Sequence, residues 1–166
     1  MKKYVIGMLA NNEAGVLNRI TGLFGRRGFN IVSITAGETE DPKLSRLTVT
    51  FTGDEYARDQ AIRQAAKCVA VEYIKELPIE KSITRELVML KVATDDADMR
   101  KDVMDAIAAF KAKQIDYSSR AVVVELTGES AKIDSFIELM KPYGILELCR
   151  TGTVAMDRGT TCLKNS

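Results

Sequence analysis

The first half of the chain alternates between compact apolar runs and apolar residues at helical spacing. The run "YVIGML" over Tyr4–Leu9, closed by a turn-forming Asn-Asn-Glu, predicts a buried strand. The next apolar positions recur three and four residues apart until Gly28 and predict a helix; they are Val16, Leu17, Ile20, Leu23 and Phe24. Two β-branched runs within 30–53 then predict a strand pair, and residues 54–77 predict a helix and a strand.

The second half repeats this rhythm. A strand-like run begins at Arg85, and residues 98–111 carry their apolar side chains on one helical face. Two more strands, a helix ended by Pro-Tyr-Gly and one last strand over "ILELCRTGTVAM" complete the second β-α-β-β-α-β order. The predicted fold is therefore α+β, with two ferredoxin-like sandwiches in tandem, each an antiparallel sheet covered on one face by two helices.

The two repeats determine the predicted domain boundaries. We expect a first domain over residues 1–78, a linker over 79–84 and a second domain over 85–157. The polar residues 158–166 are expected to form a tail that frays. Each half is small for a domain that is stable alone, and an open sheet exposes its edge strands, so we expect pairing with a second copy.

Composition and charge disfavour several classes of function. Histidine is absent, which removes the commonest general base and metal ligand. Carboxylates, lysine or cysteine could still supply catalysis, but an autonomous enzyme is disfavoured, and we predict no catalytic residue and no metal site. The three cysteines have no metal-like spacing, which favours free thiols in the cytoplasm. The net charge of +1 gives no strong attraction to nucleic acid. No apolar run approaches the length of about 18 residues that predicts a membrane span.

The start of the first predicted helix is a candidate binding site. Asn12 precedes the helix, and Gly15, Val16 and Leu17 belong to its first turn. Free backbone N–H groups at the positive end of a helix dipole suit a carboxylate, and glycine permits close approach of a ligand. An asparagine amide can donate to a carboxylate and accept from an ammonium group. These features favour a small zwitterion. The alternative is that Asn11 or Asn12 caps the helix.

Two further candidates lie where the chain returns from this helix to the second strand. Asn30 and Ile31 follow Gly28, which we interpret as the glycine that ends the helix. We expect the loop after the first strand and the start of the second strand to form two sides of one rim. Asn12 and Asn30 would then give a polar rim without net charge, as an amino-acid ligand requires.

Motifs along nearly the whole chain occur together in one order. They are "NNEAGVLNRITGLFGRRGFNIVSITAGETEDPKLSRLTV" in the first half, "REL" at 85–87, "VVVELTGESAKIDSFIELMKPYGILELCRTG" at 122–152 and Arg-Gly at 158–159. This combination resembles the small regulatory subunit family of acetolactate synthase, also called acetohydroxyacid synthase. The resemblance implies that the first domain is an ACT domain.

The resemblance also implies a function. A small subunit of this kind is not catalytic; it activates a separate catalytic subunit and mediates feedback inhibition by a branched-chain amino acid. Valine is the favoured effector, with leucine and isoleucine left open. The effector would lie between two ACT domains of a homodimer, with its carboxylate at the helix start (Asn12, Gly15, Val16 and Leu17) and with Asn30 and Ile31 closing the rim. The partner, not this chain, would hold thiamine diphosphate, magnesium and FAD.

Two other functions are compatible with the predicted fold. Ferredoxin-like domains also bind RNA, but that function needs aromatic side chains on the central strands. The chain offers only Phe51 there, and Tyr4 at the margin of the first strand, so RNA binding is disfavoured. The runner-up is an ACT-domain amino-acid sensor that regulates a different partner.

Overall fold

The chain folds into two compact units. The computed structural model describes residues 2–165; Met1, in the predicted first domain, and Ser166, in the predicted tail, lie outside the described residues. The first unit contains the described residues up to Thr84 together with those from Gly152 onward, and the second unit is Arg85–Thr151. Across residues 2–165, no helix is both long and apolar enough to cross a bilayer.

The first unit has the predicted order of helices and strands. Its elements are β1 (Lys2–Asn11), α1 (Val16–Gly25), β2 (Asn30–Glu38), β3 (Leu44–Gly53), α2 (Glu55–Ala66) and β4 (Val71–Glu76). The four strands form an antiparallel sheet in the order β2-β3-β1-β4. β2 is therefore an edge strand, and β3 separates it from β1.

The core of the first unit lies between the sheet and its two helices. Strand residues alternate between the two faces of a sheet, so every second residue of β1 and β3 points at the helices. The cluster includes Tyr4, Ile6, Met8, Ile20, Phe24, Leu47, Val49 and Phe51. α1 ends at Gly25, three residues before the predicted stop, but Gly28 has the expected role. It adopts φ 68°, and the N–H of Phe29 donates to the carbonyl of Phe24 at 3.3 Å.

The second unit repeats the topology. Its elements are β5 (Ser82–Ala93), whose first three residues belong to the first unit, α3 (Ala97–Phe110), β6 (Lys113–Tyr117), β7 (Ala121–Gly128), α4 (Ser130–Met140) and β8 (Ile145–Arg150). The strand order is β6-β7-β5-β8. Its core contains Val88, Leu90 and Val92 of β5, and the rings of Phe110 and Phe136 lie 5.1 Å apart. The prediction of two ferredoxin-like units is confirmed.

The C-terminal end of the chain corrects the predicted boundaries. The predicted last strand is divided, because β8 ends at Arg150 and a separate strand, β9 (Val154–Asp157), pairs with β5. Residues from Gly152 onward belong to the first unit, not to a second domain that extends to 157. Ala155 is buried there with Val5 and Leu77, and Leu163 of the predicted tail is buried as well. Burial of these apolar side chains explains why the described part of the tail is ordered.

Candidate functional site

The first turn of α1 presents unpaired backbone donors. Gly15 precedes the helix at φ 84°, and no side chain caps the helix. In the part of the chain that the structure describes, the N–H groups of Gly15, Leu17 and Asn18 have no acceptor, whereas the N–H of Val16 donates to the carbonyl of Glu13 at 3.3 Å. A Cβ atom at Gly15 would meet nothing within 4 Å. Glycine is thus required by the backbone conformation, and the space beside it is open.

The other helices begin with their own carboxylates. Asp54 accepts from the N–H of Ala57 at the start of α2, and Asp96 accepts from the N–H of Met99 at the start of α3, both at 2.7 Å. α4 has no capping hydrogen bond, but Glu129 occupies the position before it. The first turn of α1 contains no acidic residue. The positive end of its dipole is therefore open to an external anion.

The Asn12 side chain is already bonded within the chain. Its Nδ2 donates to Glu38 Oε1 at 3.1 Å and to the carbonyl of Pro42 at 3.0 Å, and its Oδ1 accepts from Ser45 Oγ at 2.9 Å. The interpretation of Asn11 or Asn12 as the helix cap is wrong, because Gly15 precedes the helix and no side chain caps it. These three hydrogen bonds hold the loop before α1 against β2, β3 and the turn between them.

Asn30 and Ile31 lie at the other end of the sheet. Asn30 pairs with Thr52 across β2 and β3, while Glu38, the partner of Asn12, ends the same strand. At about 3.3 Å per residue, the length of β2 separates Asn30 from the Asn12 end by roughly 25 Å. The expected single rim within one chain is therefore wrong. β1 and β2 both run antiparallel to β3, so the end of β1 and the start of β2 lie at opposite ends.

The candidate residues differ in what they can offer a ligand. Val16 is buried, so it offers backbone, while the Leu17 side chain is 47% exposed. Ile31 packs partly against the core. The Asn30 amide makes only a long contact, 3.5 Å, to Thr52 Oγ1. The sequence does not predict Glu38 and Ser45 as the partners of Asn12. Both lie inside a motif that carries the resemblance, but no local pattern pairs them with Asn12.

An open cavity of about 350 Å³ adjoins the loop before α1. Its lining residues are Asn11, Asn12, Glu13, Asp41, Lys43, Leu44 and Glu72. Three carboxylates against one lysine make this lining acidic, which disfavours the carboxylate of a ligand. The first turn of α1 is the better place for that carboxylate, because it offers donors without an acid.

Both halves of the chain match family models. Residues 6–75 match an AHAS small subunit-like ACT domain, and residues 85–159 match the small subunit of acetolactate synthase. The probable acetolactate synthase small subunit of Methanothermobacter thermautotrophicus is 40% identical over 157 residues, which cover 95% of this chain and 94% of that protein. The chain belongs to the acetolactate synthase small-subunit family.

Two other small subunits extend this result. The acetolactate synthase small subunit of Bacillus subtilis is 42% identical over 159 residues, covering 95% of this chain and 92% of that protein. The crystal structure of the acetolactate synthase small subunit from Thermotoga maritima has a TM-score of 0.89 at 36% identity, covering 97% of this chain and all of that chain (100%). The family is therefore similar in both sequence and fold over almost the full chain.

The ACT domain of this small subunit leaves one long strand edge open. Among the described residues, β2 pairs with β3 only, so its other edge is free over nine residues. Val32 on this strand is 51% exposed. An open strand edge is a template for pairing with another strand. Part of the sheet face opposite the helices, by contrast, is already covered by residues that follow Gly152.

Proposed function

We propose that this chain activates the catalytic subunit of acetolactate synthase and makes it sensitive to a branched-chain amino acid, with valine as the first candidate. The observation that carries the proposal is the start of α1, whose unpaired N–H groups have no acidic neighbour in the first turn. The catalytic chemistry, a condensation of two 2-oxo acids with loss of carbon dioxide, would belong to the partner. Thiamine diphosphate, magnesium and FAD would be held there too.

An antiparallel pairing of β2 with β2 of a second copy would bring the separated candidates together. In such a two-fold pair, the Asn30 end of one strand lies beside the Glu38 end of the other. Glu38 is bonded to Asn12, which lies three residues before Gly15 in the loop that leads into α1. Each effector site would then combine the α1 start of one copy with Asn30 and Ile31 of the other. Residues 152–157 cover part of the opposite sheet face, which favours this edge-to-edge arrangement.

The proposed site has a complement for each part of an amino acid. The ligand carboxylate would accept from the free N–H groups of Gly15, Leu17 and Asn18. The ammonium group would donate to the Asn30 amide oxygen of the second copy. The exposed Leu17 side chain would contact the branched apolar side chain. A site built from two copies binds the effector only when the two copies are paired. The effector would therefore shift the monomer–dimer equilibrium toward the dimer, and through the dimer it would act on the catalytic subunit.

Reconstitution with the catalytic subunit tests this function directly. We expect the chain alone to form no acetolactate. The mixture should form acetolactate several-fold faster than the catalytic subunit alone, and valine should reverse much of that increase in rate. Leucine and isoleucine, assayed in parallel, identify the preferred effector. Acetolactate formed by the chain alone would contradict the proposal. Amino-acid binding without any influence on the catalytic subunit would support the alternative, a sensor for a different partner.

Asn30→Ala should weaken valine binding about tenfold or more. The substitution removes a hydrogen bond to a charged ligand group, which contributes roughly 1.5–3 kcal/mol. Calorimetric titration of the variant with valine measures the change, and its urea unfolding curve verifies that the protein is folded. Wild-type affinity in Asn30→Ala would place the amide outside the site.

Mixed dimers distinguish a shared site from a site within one chain. Gly15→Asp and Asn30→Ala chains are each expected to bind poorly alone. A mixed dimer contains one site with both residues intact, because Gly15 of the second chain meets Asn30 of the first. An equimolar mixture should therefore recover about one quarter of the wild-type sites. No recovery, with mixed dimers verified by mass spectrometry, would contradict the shared site.

A further inference from the structure

A segment near the C-terminal end of the chain covers the back of β2. Residues 152–158, which we call the strap, lie on the face of the first sheet opposite α1 and α2. The N–H of Thr153 donates to Ser33 Oγ at 3.3 Å, and Thr35 Oγ1 donates to the carbonyl of Thr153 at 3.2 Å. Ile34, between these two β2 residues, packs into the helix-side core. The strap therefore contacts the strand that begins with Asn30 and Ile31.

Gly152 lies so close to β2 that no space remains for a side chain. A Cβ atom built at Gly152 would lie 2.9 Å from Ser33 Cβ and 3.0 Å from both Ser33 Oγ and Thr35 Cγ2. The shortest of these distances is below the range of real Cβ contacts and the other two are unusually tight, so a side chain at this position must displace the strap or β2. Gly152 is required by space, not by an unusual backbone angle, because its φ is not positive.

Contacts beyond β2 also hold the strap, and its residues 154–157 form β9, which pairs with β5. Arg46 Nη2 donates to the carbonyl of Ala155 at 2.6 Å, and Lys75 Nζ lies 3.0 Å from Asp157 Oδ2. Ala155 also packs against Val5 and Leu77. Burial lowers the pKa of the Arg46 guanidinium, and the nearby Asp157 carboxylate opposes that shift. The strap thus supplies an ion-pair partner to Lys75 and a hydrogen-bond acceptor to Arg46.

The sheet face beneath the strap is more polar than the core on the helix side. Thr48 and Thr50 lie beside Thr35 and Ser33 in the register of β2 and β3, and both are buried. Within the described residues, Thr50 Oγ1 has no hydrogen-bond partner. The strap adds one small apolar cluster, whereas the helices bury a large one. Segments with few buried apolar contacts open at a lower free energy than the core, so we expect the strap to open before the helix-side core does.

We propose that the strap is a detachable lock on β2, whose docking and the binding of an effector at the β2 edge stabilise each other. The docked strap holds β2 through Ser33 and Thr35, three to five residues from Asn30. Release of the strap loosens β2 and weakens a site that uses Asn30 and Ile31. Because coupling between two binding events is reciprocal, the effector in turn keeps the strap docked. The part that concerns the effector rests on the proposed function; the hold of the strap on β2 does not.

Gly152→Ala in the full chain tests the lock, with Gly25→Ala as its matched control. The same methyl group meets nothing within 4 Å at Gly25. Asp157→Asn, which removes the ion pair with Lys75, is the second variant should Gly152→Ala fold poorly. Without any ligand, we measure hydrogen exchange of β2 amides and the rate of tryptic cleavage after Arg158, an exposed strap residue. We expect both to rise roughly tenfold in Gly152→Ala and to be unchanged in Gly25→Ala.

Valine supplies the second measurement. Saturating valine should slow cleavage after Arg158 in the wild-type chain, and valine affinity should fall about tenfold in Gly152→Ala. Faster cleavage with unchanged β2 exchange would overturn the proposal, as would wild-type cleavage in both Gly152→Ala and Asp157→Asn. Strap release with wild-type valine affinity would overturn the coupling. A wild-type chain that does not bind valine would refute the proposed effector, while the ligand-free measurements would still decide whether the strap holds β2.

Discussion

Gly15→Asp is expected to abolish the response to valine while activation of the catalytic subunit persists. The new carboxylate would lie at the start of α1, beside the proposed position of the ligand carboxylate. Two like charges about 4 Å apart repel by about 4 kcal/mol near a protein surface. The aspartate can also bond the free N–H groups, as Asp54 and Asp96 do in α2 and α3. Together these effects predict valine affinity at least ~100-fold weaker, measured by calorimetry and by inhibition of the reconstituted enzyme.

Gly15→Asn is the matched control for this substitution. Asparagine has the size of aspartate, carries no charge, and also tolerates the left-handed conformation that Gly15 adopts at φ 84°. If charge dominates, the asparagine variant binds valine at least ~10-fold more tightly than the aspartate variant. Equal loss of valine affinity in both variants would show that the size of the new side chain, not its charge, causes the effect. Wild-type affinity in Gly15→Asp would exclude the start of α1 as the carboxylate site.

Val32→Glu is expected to convert a dimer into monomers at micromolar concentration. Val32 is 51% exposed on β2, whose outer edge is open in the described chain. Two-fold pairing would place two new carboxylates near the shared edge and remove them partly from water, which is unfavourable without a cationic partner. We expect the dissociation constant of the dimer to rise at least ~100-fold, measured by sedimentation velocity. Valine binding should be lost with it, because the proposed site needs two copies.

Val69→Glu provides the control for a surface charge as such. Val69 is 95% exposed and lies in the turn before β4, away from the β2 edge. This variant should remain a dimer and should bind valine like the wild-type chain. A Val32→Glu chain that dimerises as strongly as Val69→Glu would exclude β2 pairing as the mode of assembly.

The second unit repeats the fold of the ACT domain without repeating its candidate site. The helix that corresponds to α1 is α3, and its start is occupied by the Asp96 carboxylate, which accepts from the N–H of Met99 at 2.7 Å. At this helix start the N–H of Met99 is already bonded, and the negative charge of Asp96 would repel an external carboxylate. The two halves therefore share topology, while the features that suit an amino acid are confined to the first half. This difference explains why fold alone does not identify a site.

The local features of this protein are determined by its sequence. Apolar periodicity and turn residues predicted the order of the α-helices and strands in both units, because the residues of one helix or strand face lie close together along the chain. They did not predict the start of β5 at Ser82, inside the expected linker 79–84, or the division between β8 and β9. Gly15 and Gly28 were singled out from the residues around them, and both adopt positive φ. The order of motifs also predicted the family, which the comparisons confirm.

The tertiary structure alone decided which distant residues meet. Asn12 bonds Glu38 and Ser45, which are more than 25 residues away, and Thr153 bonds Ser33 across 120 positions. The direction of β2 puts Asn30 at the end of the sheet far from Asn12. Residues 152–165 belong to the first unit, which contradicts the predicted boundary of the second domain at 157. Such contacts depend on strand pairing and on burial between segments far apart in the chain. A local pattern of polar and apolar residues restricts these pairings but does not select one of them.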